Sequence, residues 1–507
     1  MTEDAQGSAV PESCSQQHPP KALSATRRDF SPKILEHLQP FRGHDGRDYV
    51  LVTDTPNPHV IEIGSAQLDS LLRARAFAEG AVLRKSNLDD IILILKAQAQ
   101  QHGNVESVWY RVAPIDGGIE IDLGNDQHTR VRITADGVKV VDRGSDVRFR
   151  RSPNMRPLPI PQLDSTTADV DLAQLRVKKY LANVHPTHQM LLIAWLTYTI
   201  ALPKMPTSVF VILVLLGISG VGKSTLCKML TLIVDPTNVD VQPIPGNIKD
   251  LAIALQNSHL PGFDNLRQIT PEKADILCIA ATGGCLSSRQ LYTDSDIATV
   301  QLHGAMILNG IHTFIDQPDL AQRSLQIELK PLDETHRKNK QNLQREFETD
   351  LPVILGELYG LIARIFACMS KAQVTNPERL IEFVEWLAAL EVAEDNRAGT
   401  FQAVYSDMLN AGQLETLLDN SLAAAVVEFA QELDNGTWTG TPAECLEELE
   451  RYTNIRTQRS REWPLNPIAL SKRLKPLQAG LKGQGIEVIF GRGKHRTITI
   501  NFEGGLN

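Results

Sequence analysis

An α/β fold class follows from three consecutive stretches of the sequence. "SVFVILVLLG" (208–217) is a continuous apolar run suited to a buried strand. "GISGVGKST" (217–225) is a glycine-rich turn, and "KSTLCKMLTLIV" (223–234) carries apolar residues at helical spacing. Gly217, Gly222, Lys223 and Ser224 fit G-x-x-x-x-G-K-[ST], in which backbone N–H groups crowd around phosphates, the lysine reaches the β/γ oxygens and the hydroxyl holds magnesium. The sequence therefore predicts a P-loop ATPase core that binds ATP and Mg2+ through Gly217, Ile218, Ser219, Gly220, Val221, Gly222, Lys223, Ser224 and Thr225. A small α+β domain precedes this core, and a winged helix-turn-helix follows it.

At 507 residues the chain has room for about three domains with buried cores. The formal net charge of −9 excludes a uniformly basic nucleic-acid coat but leaves room for a local basic module. Six cysteines are scattered with no C-x-x-C pair, which predicts neither a zinc site nor a disulfide framework and points to a reducing cytoplasm. The first residues lack the basic-then-apolar pattern of a signal peptide. "LLIAWLTYTIALPKMPTSVFVILVLLG" (191–217) has the apolar content of a membrane span, but Pro203, Lys204 and Pro206 interrupt it and its second half leads into the glycine loop. A buried helix followed by a buried strand is expected there, with no membrane partner.

In chain order, residues 1–40 are rich in Ser, Gln, Pro and Glu and read as a disordered tail. Residues 41–160 form the α+β domain and linker: two helical patterns, then short alternating segments separated by the turn signals "DGG" and "ADG". "RSPNMRPLPIPQLD" (151–164) is punctuated by proline as a linker is. The ATPase core spans 161–370, and a helical connector spans 371–430.

The last segment, 431–507, changes character. Between 451 and 507 eleven Lys and Arg stand against three Glu, and the pattern runs helix, turn, helix and two strands joined at "GRGKHR". That order is a winged helix-turn-helix. Ser471, Lys472, Lys475 and Lys482 lie near its recognition helix, with Arg492, Lys494, His495 and Arg496 at the wing tip, a pattern expected to bind duplex DNA. A solvated charged face or a protein-docking winged helix would share this composition.

The residues after the glycine loop narrow the chemistry. "HLPGFDN" (259–265) ends a strand at Asp264, which suits the carboxylate that steadies a magnesium shell beside Ser224. "GAMILNGI" (304–311) is a strand carrying Asn309 near its end, and "PDLAQRSLQIEL" (318–329) places Arg323 before another strand. This order resembles that of oligomeric AAA+-type ATPases. There Asn309 would orient the attacking water and Arg323 would reach the γ-phosphate of a neighbouring subunit. Asp264 as a turn residue, Asn309 as a strand-end cap and Arg323 in a surface ion pair are the alternatives.

"SSRQLYTDSD…MILNGI…DLAQRSLQIEL" resembles the helicase module of superfamily 3, as in phage, poxvirus-type and mobile-element primase–helicases, over roughly residues 105–370. The resemblance implies a hexameric ring and a DNA motor in replication of a phage or mobile element. Arg289 and Tyr292 would lead to the loops that grip single-stranded DNA, unless they pack beside the nucleotide. The sequence departs from the pattern at Asn265, where many such motors place a second acidic residue; an amide can orient water but not take its proton. Asp116, Glu120, Asp122 and Asp126 sit among turn signals, are expected to face solvent, and predict no primer synthesis, so a separate primase or polymerase would be a partner.

Overall fold

The computed structural model describes residues 32–503 apart from 56, 103, 142–145, 165–166, 168, 240, 290–296, 312–313, 316, 333–338, 434, 461–462 and 492–495. The chain divides into two compact units, residues up to 54 with 61–105, and residues 55–60 with everything from 106 onward. In the first, β1 (Leu38–Gly43) and β2 (Asp48–Val52) form an antiparallel pair, followed by α1 (Ala66–Ala78) and α2 (Lys85–His102). The Ser65 hydroxyl caps α1 by accepting from Leu68 N–H. Ile34, Leu38, Val50, Leu68, Leu72, Ile91 and Leu95 make this unit's core. Ile34 and the first three residues of β1 fall inside the stretch expected to be a tail, because Ile34 and Leu38 are apolar enough to join that core.

The second unit opens with a four-stranded antiparallel meander, β3 (Val112–Ile115), β4 (Gly118–Asp122), β5 (Arg130–Thr134) and β6 (Gly137–Val141). Its two-residue turns, Asp116–Gly117 and Ala135–Asp136, fall where the "DGG" and "ADG" signals put them. One expectation is corrected here. The sequence pattern assigns the meander to the N-terminal domain, yet Val112, Ile119, Ile121, Val131 and Ile133 share one apolar cluster with the helices of the central core. Alternation tells a strand which face to bury, but not against what.

The central sheet is parallel, in the order β8 (Gly262–Leu266), β11 (Ile307–Gly310), β7 (Ile212–Leu216), β12 (Ser324–Glu328). Strand β7 is buried on both faces: Leu213 and Leu215 join the cluster that includes α3 (Pro186–Ala201), α4 (Lys223–Val234), α8 (Lys340–Cys368) and α9 (Ile381–Ala393). Ile212, Val214 and Leu216 join the opposite cluster with α5 (Ile248–Asn257), α6 (Pro271–Thr282) and α7 (Pro318–Ala321). That two-sided burial explains the unbroken apolar run. An antiparallel hairpin, β9 (Gly284–Arg289) and β10 (Ile297–Leu302), is inserted before β11. The 191–217 stretch is, as expected, buried helix then buried strand. Among the described residues α8, with the short turn after it, is long and apolar enough to cross a membrane, and 67% of its 18-residue apolar window is buried in the core.

After α10 (Thr400–Asp419) come α11 (Ser421–Gln431), β13 (Thr437–Gly440), α12 (Pro442–Glu450), α13 (Ile455–Gln458), α14 (Pro467–Gly483) and the hairpin β14 (Ile486–Gly491) and β15 (Thr497–Phe502). The expected order of helix, turn, helix and hairpin is present, with β13 added on the outer edge of β15. Helix α11, which the sequence pattern places in the connector, contributes Leu422, Val426 and Phe429 to the terminal core with Leu449, Leu470, Leu474, Ile498 and Ile500. The terminal domain therefore begins about ten residues earlier than its composition indicates.

Candidate functional site

The loop between β7 and α4 is held open by glycines. Gly217 has φ 139°, and a Cβ there would sit 2.7 Å from the Leu329 carbonyl oxygen. Gly222, with φ 93°, is the left-handed residue from which α4 starts. Ile218, Ser219 and Gly220 are exposed at the crest, Val221 is buried, and Thr225 is half-buried in the first turn of α4. Asn183, which belongs to no motif in the sequence, braces the loop by donating from Nδ2 to the Val221 carbonyl at 2.8 Å. A helix N-terminus preceded by a glycine loop presents unpaired N–H groups to an anion.

Lys223 is folded back into this loop. Its Nζ donates to the carbonyls of Gly217 (2.8 Å) and Ile218 (3.0 Å), and its side chain is buried. Burial holds the ammonium below the usual lysine range, against the opposing charge of Asp264. Ser224, the next residue, donates from Oγ to Asp264 Oδ2 at 2.6 Å. Forty residues apart in sequence, these two oxygens meet because β8 lies two strands from β7 and both run in the same direction. A hydroxyl and a carboxylate are hard oxygen donors of the kind magnesium takes, and their juxtaposition beside the glycine loop fits that ion. Among the described residues no group of three or more His, Cys, Asp or Glu could hold a metal by itself.

Asn265 adopts φ 60°, and its N–H donates to Asp264 Oδ1 at 2.6 Å. This local bond fixes the carboxylate's orientation and leaves the Asn265 side chain exposed. Asn309 lies on β11 opposite Leu215. It follows Ile307 by two positions, so it shares the face of the sheet that carries α4. It is 1% exposed, and neither its Oδ1 nor its Nδ2 has a hydrogen-bond partner among the described residues.

Arg323 occupies the turn after α7, where its Nε meets Asp319 Oδ2 at 3.2 Å and its side chain is 16% exposed. Asp319 also pairs with Arg379, whose Nη1 donates to Gln322 Oε1 at 2.9 Å. Within one chain Arg323 is thus an ion-pair residue. Arg289 ends β9, while Tyr292, Arg492, Lys494 and His495 lie outside the described residues. In the terminal domain Lys472, Lys475 and Arg496 are exposed, and the Lys475 ammonium lies 5.8 Å from the centre of the Phe490 ring.

The acidic residues of the meander correct another expectation. Asp116 and Asp126 do face solvent, but Glu120 and Asp122 are buried. Glu120 accepts from Arg130 and Arg132, each at 3.1 Å, and Asp122 accepts from Arg151 at 2.7 and 2.8 Å. The arginines hold the Asp122 carboxyl below its usual range in spite of its burial. Beside them Arg111, fully buried, donates from Nε to Asp235 Oδ1 at 2.8 Å, and Asp235 follows the last turn of α4. Glu120 is occupied by arginines within the meander and Asp122 by Arg151, so they are not a vacant metal pair, while Arg111 and Asp235 fasten the start of the meander to the core.

A mixed α/β chain with a strand–glycine loop–helix unit, a serine–aspartate pair beside it and a basic terminal domain is the class that fold and site define. Residues 175–411 match the family described as actinomycete integrative conjugative element replication protein, and residues 422–504 match the family described as AICE RepA C-terminal domain. The two matches place the chain among the replication proteins of mobile elements. No curated protein matches it. Among solved structures it is similar to the A form apo structure of the NrS-1 C-terminal region, at 13% identity and TM-score 0.37 over 93% of this chain and 97% of that one. It is also similar to the X-ray structure of JCV helicase, at 14% identity and TM-score 0.22 over 46% and 65%. At these TM-scores the likenesses carry no functional weight.

Proposed function

We propose that the chain is an ATP-dependent DNA-helicase-like motor of superfamily 3 type, working as a ring, in the replication of a mobile element. The observation that carries this reading is the hydrogen bond of Ser224 Oγ to Asp264 Oδ2, beside a lysine that bonds to its own loop. Both carbonyl bonds of Lys223 can be exchanged for bonds to β/γ-phosphate oxygens, so the loop is prepared for a triphosphate without rearrangement of the fold. Ser224 and Asp264 would hold magnesium, whose charge would offset the negative charge of the β- and γ-phosphates. Asn309 supplies a buried amide on the same face and would orient the attacking water, with Asn265 assisting by hydrogen bonds alone. Arg323, released from Asp319, would serve the γ-phosphate of the adjoining subunit. The terminal helix–turn–helix with its hairpin would act as a winged helix on duplex DNA through Lys472, Lys475 and Arg496, while Arg289 and Tyr292 would serve the single strand in the ring.

The test is ATP turnover with and without single-stranded DNA, run beside unwinding of a forked duplex. The motor reading expects low basal turnover rising at least about tenfold with DNA, on the scale of an arginine arriving in trans, together with strand separation. Unchanged turnover and an intact fork at saturating ATP refute it. A second reading then applies, an ATP-switched DNA-binding regulator that assembles without unwinding. The observation favouring it is that Arg323 is already engaged by Asp319 and that the position after Asp264 is an amide.

A further inference from the structure

Among the described residues of the terminal domain Leu465 and Ile468 are the two most exposed large apolar side chains, and the charged residues that follow them in α14 are all cations. Trp463 is buried at 1% exposure and fixes the point at which the chain leaves the core. Two residues later Leu465 is 82% exposed, and Ile468, in the first turn of α14, is 78% exposed. The Asn466 side chain caps the helix between them, accepting from Ala469 N–H at 2.9 Å. Leu470, Leu474 and Leu481 point into the core, so Ile468, Lys472 and Lys475, at spacings of four and three, share the outward face. From 463 to 486 the sequence has no carboxylate, and its charges are Lys472, Arg473, Lys475 and Lys482.

An exposed leucine and isoleucine at the start of a helix lined with lysine do not suit a protein partner, whose interface cores are depleted in lysine. They suit DNA in one way. When a recognition helix enters the major groove, its N-terminal residues face the base edges while cations further along meet phosphates. The major groove offers a single apolar group, the C5-methyl of thymine. We propose that Leu465 and Ile468 read thymine methyl groups, and that α14 thereby directs the chain to duplex sites with thymine at adjacent positions. This rests on the winged-helix part of the function proposed above and adds the base preference and the residues that set it.

Short duplexes enriched from a random pool by the full chain test the idea, followed by replacement of each thymine in the enriched site with deoxyuridine, which removes only the methyl. Affinity is expected to fall about fourfold for each recognised methyl that is removed. Leu465→Ser with Ile468→Ser should abolish the thymine–uracil difference and leave the salt dependence of binding unchanged. Lys472→Ala with Lys475→Ala should do the reverse. Both pairs are exposed, so the domain core is untouched. Salt-dependent binding with equal affinity for thymine and uracil duplexes, or no enriched site, overturns the methyl-reading proposal while leaving DNA binding in place. Absence of duplex binding overturns both. A double serine variant that changes the oligomeric state in the absence of DNA, with the thymine preference intact, makes this face a subunit interface instead.

Discussion

Asn309→Ala separates a working residue from a structural one, because the two roles predict opposite changes in stability. The side chain is 1% exposed on the central sheet, with neither amide atom hydrogen-bonded among the described residues. A buried polar group without a partner costs about 1–3 kcal/mol. Truncation removes that penalty and sacrifices a little packing, for a net gain of about 1–2 kcal/mol, or roughly 2–8 °C in the melting of a core of this size. Hydrolysis should fall by about 10²–10³, the usual effect of deleting one preorganised polar group from a reacting centre, while ATP binding persists. Thermal melts with and without a non-hydrolysable ATP analogue identify the transition of the core by its shift on binding, and steady-state turnover completes the measurement. A lower melting temperature with normal turnover would show that Asn309 is a structural cap. A higher one with normal turnover would show a buried amide with no catalytic task.

Lys223→Ala should abolish turnover and weaken ATP binding, checked by equilibrium binding of a fluorescent nucleotide; wild-type turnover would place the working site elsewhere. Arg323→Ala should bind ATP almost normally and hydrolyse it about 10³-fold or more slowly, and mixing it with Lys223→Ala subunits should restore some activity at hybrid interfaces. Neutralising Lys472, Lys475 and Arg496 together should reduce the slope of log affinity against log salt by about 0.9 for each phosphate left without its cation; an unchanged slope would remove these residues from the DNA. Burial pushes His259 down to about 4, with the charge of Lys204 adding to the effect. The unfolded chain therefore binds that proton more readily, so the contribution of His259 is whole above about pH 6.5 and declines by about 3 kcal/mol as pH falls toward 4. Melts across that window should be steeper in pH for the wild type than for His259→Phe, and parallel curves would contradict the assignment.

By itself the sequence determined the features that local rules govern. The glycine loop was legible because positive φ favours glycine, the helix that follows because its apolar residues keep a period near four, and the buried strand because both of its faces are apolar. The basic terminal segment and its order of elements were legible for the same reason. The tertiary structure decided what depends on partners far along the chain. Ser224 meets Asp264 because parallel strands bring their ends together. Asn183, more than thirty residues before the loop, braces it at Val221. Glu120 and Asp122 read as solvent-facing because turn residues surround them, and only the arrival of Arg130, Arg132 and Arg151 makes their burial tolerable. The meander joined the core, and α11 joined the terminal domain, because an apolar face carries no label for the surface it will cover. Periodicity fixes which side of an element is buried; the choice of neighbour is made by shape and charge complementarity among segments that the linear order keeps apart.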